Sequence, residues 1–331
     1  MTRKRIVYTL NVRQRESHLM FKNILRKVLE RKNCLLTSLL REQMFLRQAS
    51  RDQNLTEKVA SELGIAVLNT RERLRGTESS ETVFILAGGA SVNRLTSENL
   101  DHIAKRASIG INFWPIHDFM PNSLSNETNN FPGETPVDMT FLSQKINDAS
   151  SPDFGPNLIT LRPPWPPNPL RMMQLTQKNN NPHFVYGRAN VITREERNLG
   201  HDLSRIVRRA VSHRLPQSVL PDNGSSVVRL TFLALTHGFK NVVYVGVDQS
   251  PGPYFWTEEP VPASYRQAAK LFPRRAGEPH STSSAENRPF SNDIFLRVLY
   301  RAVTENSSSR IFLASGESEL ADTIPLYNWG S

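Results

Sequence analysis

Two short runs of small residues carry the clearest chemical signal in this chain. Gly88-Gly89-Ala90-Ser91 follows the apolar run Val83 to Ala87 and precedes a helical stretch. Glycines let a backbone come close to a ligand, and a helix N-terminus offers unpaired N–H groups to an anion. A plain tight turn is the competing explanation. Asn223-Gly224-Ser225-Ser226 opens a second apolar helix. Ser225 and Ser226 there offer hydroxyls and amide protons to a phosphate, or simply cap the helix. Asn112 closes the apolar run Ala107 to Ile111. An amide both donates and accepts, so it can read a base edge or a ribose hydroxyl, or else form an Asx turn. His280 lies in the polar loop Gly277 to Thr282. A loop histidine that titrates near neutrality suits general-base work, against an inert surface role.

Other chemistries lack their residues. The other histidines are scattered and there is no HExxH, so no structural or catalytic zinc is expected. No Asp-x-Asp pair is present to hold a divalent ion, which points to metal-independent chemistry. The glycine turn is not GxGxxG, and its second strand ends in Asn112 rather than an acid, which disfavours a dinucleotide oxidoreductase. There is no GxSxG elbow, P-loop or kinase signature. The lone cysteine, Cys34, cannot form an intrachain disulfide and reads as a small apolar helix residue.

The elements that must position these residues read as alternating strands and helices. Val83–Ala87, Ala107–Asn112, Val137–Leu142, Leu158–Leu161, Val242–Asp248 and Arg310–Ser315 are predicted strands. Val92–Lys105, 193–213, Val227–Thr236, 263–272 and 290–304 are predicted helices. Pro163 to Asn168 can be neither helix nor central strand. Strand, glycine turn, helix, strand is the βαβ pattern. The expected fold is therefore α/β, a Rossmann-like mostly parallel sheet with helices on both faces, plus an N-terminal helical arm. Residues 81–331 form the main domain, and residues 1–80 a basic helical arm and linker.

The 331 residues carry a formal net charge of +10. Residues 1–80 hold 17 Lys and Arg against 8 Asp and Glu, whereas the remainder is nearly balanced. Apolar residues recur at helical spacing from 14 to about 50, and a second helix is expected from a cap at Asn54 or Thr56 to a stop at Gly64. Residues 70–81 read as a polar linker. Three uses of the arm stay open: packing on the main domain or on a second copy, peripheral contact with anionic lipid, and nucleic-acid binding. The arm lacks interleaved aromatics, so the nucleic-acid signal is weak. No run has the ~20 apolar residues of a membrane span, and the basic start lacks the apolar core of a signal peptide. A cytoplasmic protein, in peripheral contact with a membrane if the arm binds lipid, is the expectation.

Taken in order, these motifs resemble the bacterial sialyltransferases of glycosyltransferase family 42, and more distantly the flagellin-modifying glycosyltransferases. The resemblance covers about residues 82–330. It rests on Gly89-Ala90-Ser91, Asn112, the run Thr236 to Asp248 after Ser225-Ser226, Tyr254, and His280-Ser281. Three family positions differ. Gly88 and Ser143 stand where the family has asparagines, and Ser250 where it has a tyrosine.

The resemblance implies inverting, metal-independent transfer of sialic acid or a related nonulosonic acid from a CMP donor to a glycan hydroxyl, with no further cofactor. It places Gly88, Gly89, Ser91, Asn112, Ser225, Ser226 and Asp248 around the nucleotide. Tyr254 would donate to the departing phosphate and His280 would take the acceptor's proton. A related enzyme using another nucleotide sugar, and a non-catalytic binding module with a membrane- or nucleic-acid-contacting arm, are the alternatives.

Overall fold

The computed structural model describes residues 35–63, 74, 81–127, 139–149, 157–161, 183–191, 193, 195–273 and 289–330. Their centre is one eight-stranded, wholly parallel sheet in the order β6-β5-β4-β3-β2-β1-β7-β8. The strands are β1 Thr82–Leu86, β2 Ala107–Ile111, β3 Ser123–Glu127, β4 Asn157–Leu161, β5 His183–Asn190, β6 Val219–Asp222, β7 Asn241–Val245 and β8 Arg310–Leu313. The α-helices are α1 Leu35–Leu63, α2 Ser97–Ala104, α3 Met139–Ala149, α4 Glu196–Val211, α5 Ser226–Thr236, α6 Arg266–Leu271 and α7 Asn292–Asn306.

Side chains alternate across a strand, and the two faces of the sheet build two cores. Val83 and Ile85 of β1 with Val242 and Tyr244 of β7 enter a core shared with α1, α4, α5 and α7. Phe84 and Leu86 with Val243 and Val245 enter the opposite core, shared with α2, α3 and α6. β1 is buried along its whole length, the pattern of a central parallel strand. The expected architecture, a parallel sheet covered on both faces, is the one observed.

Several local expectations fail for identifiable reasons. Of the predicted strand Val137–Leu142, Met139–Leu142 is helical, because Leu142 and Ile146 bury one helical face of α3, and Val137 and Asp138 lie outside the described residues. The third strand is instead the polar Ser123–Glu127. Its serines look unsuited to a core strand, yet the Ser125 hydroxyl donates to the Gly110 carbonyl and the Ser123 hydroxyl accepts from the Asn157 amide. β5 and β6 were not expected either. The helix predicted over 92–105 breaks at Leu95-Thr96 into a short 3-10 turn, Ala90–Arg94, and α2. Thr96 and Asn99 close a reciprocal capping box that starts α2.

The described part of the N-terminal arm is one helix, not two. α1 runs straight through Asn54, and Thr56 caps nothing, since its hydroxyl donates to the Asp52 carbonyl one turn back. The helix lies on the sheet. Phe45 and Ala49 are buried in the first core, and Leu74, from the stretch read as a polar linker, is fully buried there too. Gly187 of β5 lets α1 come close, because a Cβ at that position would collide with the Thr56 hydroxyl. The predicted helical residues 14–34, Cys34 and the proline-rich run 163–168 lie outside the described residues.

A buried ion pair fastens α1 to α4. Arg41 Nε and Nη2 meet the two carboxylate oxygens of Asp202 at 2.6 and 3.0 Å, and the Ser38 hydroxyl donates to the same group. Burial pushes the Asp202 carboxyl up, and the bonds from Arg41 and Ser38 oppose this. Removing one partner strands a buried charge, which costs about 3–5 kcal/mol. Arg41→Ala should lower stability by that order in urea denaturation, and Arg41→Met with Asp202→Leu should recover most of it. A loss below about 1 kcal/mol for Arg41→Ala would show that the pair does not hold the helix.

Candidate functional site

The order of the strands marks one place in this sheet. From β1 the chain adds β2 through β6 on one side, then crosses back to place β7 and β8 on the other. The strand order thus reverses between β1, whose next strand lies on one side, and β7, whose next strand lies on the other. Ligands of parallel α/β sheets bind at such a reversal.

The glycine turn sits at this reversal. Ala87 N–H donates to the Val245 carbonyl at 2.8 Å, and Gly89 N–H to the Gly246 carbonyl at 2.9 Å. The two loops run so close that neither tolerates a side chain at the contact. A Cβ on Gly89 would fall into the Asp248 carboxylate and the Gly246 carbonyl. Gly246 has φ +67°, and a Cβ there would strike the Ala87 carbonyl.

Asp248 fixes the turn from the β7 side. Its Oδ2 accepts from Ser91 N–H at 3.0 Å, and its Oδ1 from the Ser91 hydroxyl. Ser91 and Asp248 thus spend these groups on each other and hold the loop shape. Burial pushes the Asp248 carboxyl up, partly offset by the two bonds from Ser91. Its carbonyl accepts from Glu319 N–H, which ties in the C-terminal segment.

The Tyr254 segment packs on the glycine turn. Phe255 N–H donates to the Gly88 carbonyl, and the Tyr254 ring stacks on Trp256 with centroids 4.4 Å apart and planes 18° from parallel. A Cβ on Gly88 would lie 3.2 Å from the Tyr254 ring and 3.1 Å from that of Trp256. Asn93 donates to the Phe255 carbonyl and to Glu258, and Arg94 pairs with Glu258 and Glu317. The segment holding Tyr254 is therefore bound to the turn along its length.

Two amides continue the row. Asn112 follows β2 at φ +49°, a conformation asparagine tolerates, and its N–H donates to the Ser125 carbonyl at 2.8 Å. Asn126 is the last residue but one of β3, near the same edge, a residue the sequence reading missed because it placed the third strand elsewhere. Ser143 accordingly lies in α3, not after a strand. β3, β2, β1 and β7 are neighbours, so the row spans three strand spacings, about 14 Å.

Farther out, His117 stacks on Trp114 at 5.0 Å and accepts the Phe119 N–H on Nδ1. Burial pushes its pKa down to about 4, so the ring is neutral at pH 7 with its proton on Nε2.

Ser225 and Ser226 stand at the carboxyl end of β6, the edge strand, with β4 and β5 between them and the row. α5 itself packs back against β1. Ser225 occupies the N-cap position without a side-chain capping bond. The turn before it is held by Asp222, which accepts from Gly224 N–H and from the fully buried Arg229, both at 2.6 Å. His280 lies outside the described residues, and Ser250 lies in the loop between Asp248 and Tyr254. Among the described residues, no group of three or more His, Cys, Asp or Glu side chains is placed to hold a metal ion.

No family model matches the chain, and no curated protein sequence matches it. Two solved structures are similar in fold. One is the monofunctional alpha-2,3-sialyltransferase Cst-I from Campylobacter jejuni, at 13% identity and a TM-score of 0.42 over 80% of this chain and 83% of that one. The other is the sialyltransferase CST-II in complex with a trisaccharide acceptor and CMP, at 12% identity and a TM-score of 0.38 over 76% of this chain and 88% of that one. Neither similarity bears on activity here.

Gly89→Ala should cost about 1–3 kcal/mol, because the added methyl meets fixed backbone and carboxylate. A thermal midpoint equal to the parent's would contradict the close approach of the two loops. Asp248→Asn tests the carboxyl. A carboxyl pushed up in the folded state keeps its proton to higher pH than in the unfolded chain, so its contribution to stability falls as pH rises through that range. Denaturation at about pH 4 and about pH 7 should show the parent losing ground to Asp248→Asn at the higher pH. An unchanged difference would mean that Asp248 is not buried as described.

Proposed function

We propose that this chain is a glycosyltransferase that takes sialic acid or a related nonulosonic acid from a CMP donor and transfers it, with inversion, to a glycan hydroxyl. The observation that carries the reading is the glycine turn seated where the strand order reverses, with amide side chains on the next two strand ends. The resemblance in motif order supports the choice of donor.

In this reading the Gly88–Ser91 backbone lies along the nucleotide, and Asn112 and Asn126 meet the base and ribose by donating and accepting. Tyr254 donates to the phosphate oxygen as the glycosidic bond breaks, stabilising the charge that develops there. The Trp256 stack and the backbone bond to Gly88 hold that ring in place before substrate arrives. His280 takes the acceptor's proton, a role worth roughly 10²–10⁴ in rate. Ser225 and Ser226, both buried at the edge strand with β4 and β5 between them and this row, take no part in it. The reaction needs no metal, in keeping with a sequence that has no Asp-x-Asp pair.

A ligand that binds only the folded state raises its stability, by about 2.7 kcal/mol at a hundred times its dissociation constant. CMP should raise the thermal midpoint more than UMP or GMP, and Asn112→Ala should shrink that rise. Equal response to all three nucleotides would remove the cytidine assignment. His280→Ala should abolish transfer while leaving the CMP response intact, and unchanged turnover would take His280 out of the mechanism.

A further inference from the structure

The loop from Gln249 to Pro253 bridges two anchors on the glycine turn. At one end the Asp248 carboxylate holds Ser91, and at the other Tyr254 pairs with Gly89. Gln249 is one peptide from Asp248, and its φ is +59°. A residue with a long side chain is strained in that left-handed region. At three other turns of positive φ the chain places glycine, at Gly224, Gly238 and Gly246. Among the described residues, the other non-glycine residues with positive φ are Asn112, which follows β2, and His213, just past the end of α4. Asn112 and Gln249 thus stand in the loops after β2 and β7, the two strands that flank β1. Strain kept where the strand order reverses points to a use for the side chain there.

That side chain is fixed at its oxygen only. Asn292, the first residue of α7 and 2% exposed, donates from Nδ2 to Gln249 Oε1 at 3.1 Å. Among the described residues nothing accepts the Nε2 protons or the main-chain N–H of Gln249. The residue is half-buried and belongs to neither core. Its N–H groups therefore remain for a ligand one residue from the glycine turn. Arg94, the cation bonded into these loops, is occupied by Glu258 and Glu317. An anion here depends on neutral N–H donors, which serve best when fixed before it arrives. We infer that Gln249 contacts the phosphate of the bound nucleotide through its amide N–H2 and its main-chain N–H, with Asn292 as its positioning residue. The inference rests on the CMP-donor reading, which lays the phosphate on the Gly88–Ser91 side, and it gives that phosphate a second donor beside Tyr254.

Calorimetric titration of the full chain with CMP and with cytidine tests this, at about pH 8 so that an introduced carboxyl is ionised. The parent should bind CMP about tenfold or more tighter than cytidine. Gln249→Glu keeps an oxygen for Asn292 and puts a negative oxygen in place of the N–H2. It should weaken CMP by about tenfold or more and leave cytidine within about twofold. Gln249→Met keeps the length without donor or charge, and should weaken CMP by about fivefold with cytidine again unchanged. Asn292→Ala, which frees the Gln249 amide, should weaken CMP by about threefold and spare cytidine. A thermal unfolding transition shows that each variant is folded. A parent that binds CMP and cytidine equally, CMP binding indifferent to both Gln249 variants, or an equal loss for CMP and cytidine overturns the assignment and leaves the cytidine donor standing. A parent that binds neither overturns the donor reading, and this assignment with it.

Discussion

The close approach of the β1 and β7 loops is the constraint on which the site depends. A turn that must pass a neighbouring carbonyl at hydrogen-bonding distance has no room for a Cβ, which is why Gly89 faces Gly246. Asp248 then converts proximity into a fixed shape by taking both the N–H and the hydroxyl of Ser91. A buried carboxylate is costly unless its oxygens are bonded, and here those bonds come from the loop that must be held. The Phe255 bond to the Gly88 carbonyl and the Asn93 bond to the Phe255 carbonyl extend the same clamp to Tyr254.

The rest of the fold supplies a rigid base for that clamp. Two cores press on the sheet from opposite faces, and β1 and β7 contribute alternate side chains to both. α1 belongs to this base, since its Phe45 and Ala49 lie in the same core as β1 and its Arg41 is bonded to Asp202 of α4. The helix therefore serves the body with one face and leaves two leucines and an arginine in solvent on the other.

What was legible in the sequence follows from burial. β1, β2 and β7 are short apolar runs ended by glycine or asparagine, and the glycine turn, Asn112 and Asp248 stand at their ends as the pattern suggests. β3 was hidden because its serines bond to neighbouring strands and loops, a pairing that no linear pattern reveals. That error moved the third strand to what is α3 and concealed Asn126. The mutual engagement of Ser91 and Asp248 joins residues 157 positions apart, and it too is invisible until the strand order is known. The same holds for Arg229, which reads as an ordinary helix residue and instead reaches back to Asp222.

A crystal structure of the chain with CMP is the most direct test of the site. The expected result is a nucleotide lying across the carboxyl ends of β7, β1, β2 and β3, its phosphate on the Gly88–Ser91 side and its base toward Asn112 and Asn126. Nucleotide density elsewhere on the molecule, with none at the carboxyl ends of β1 and β7, would contradict it.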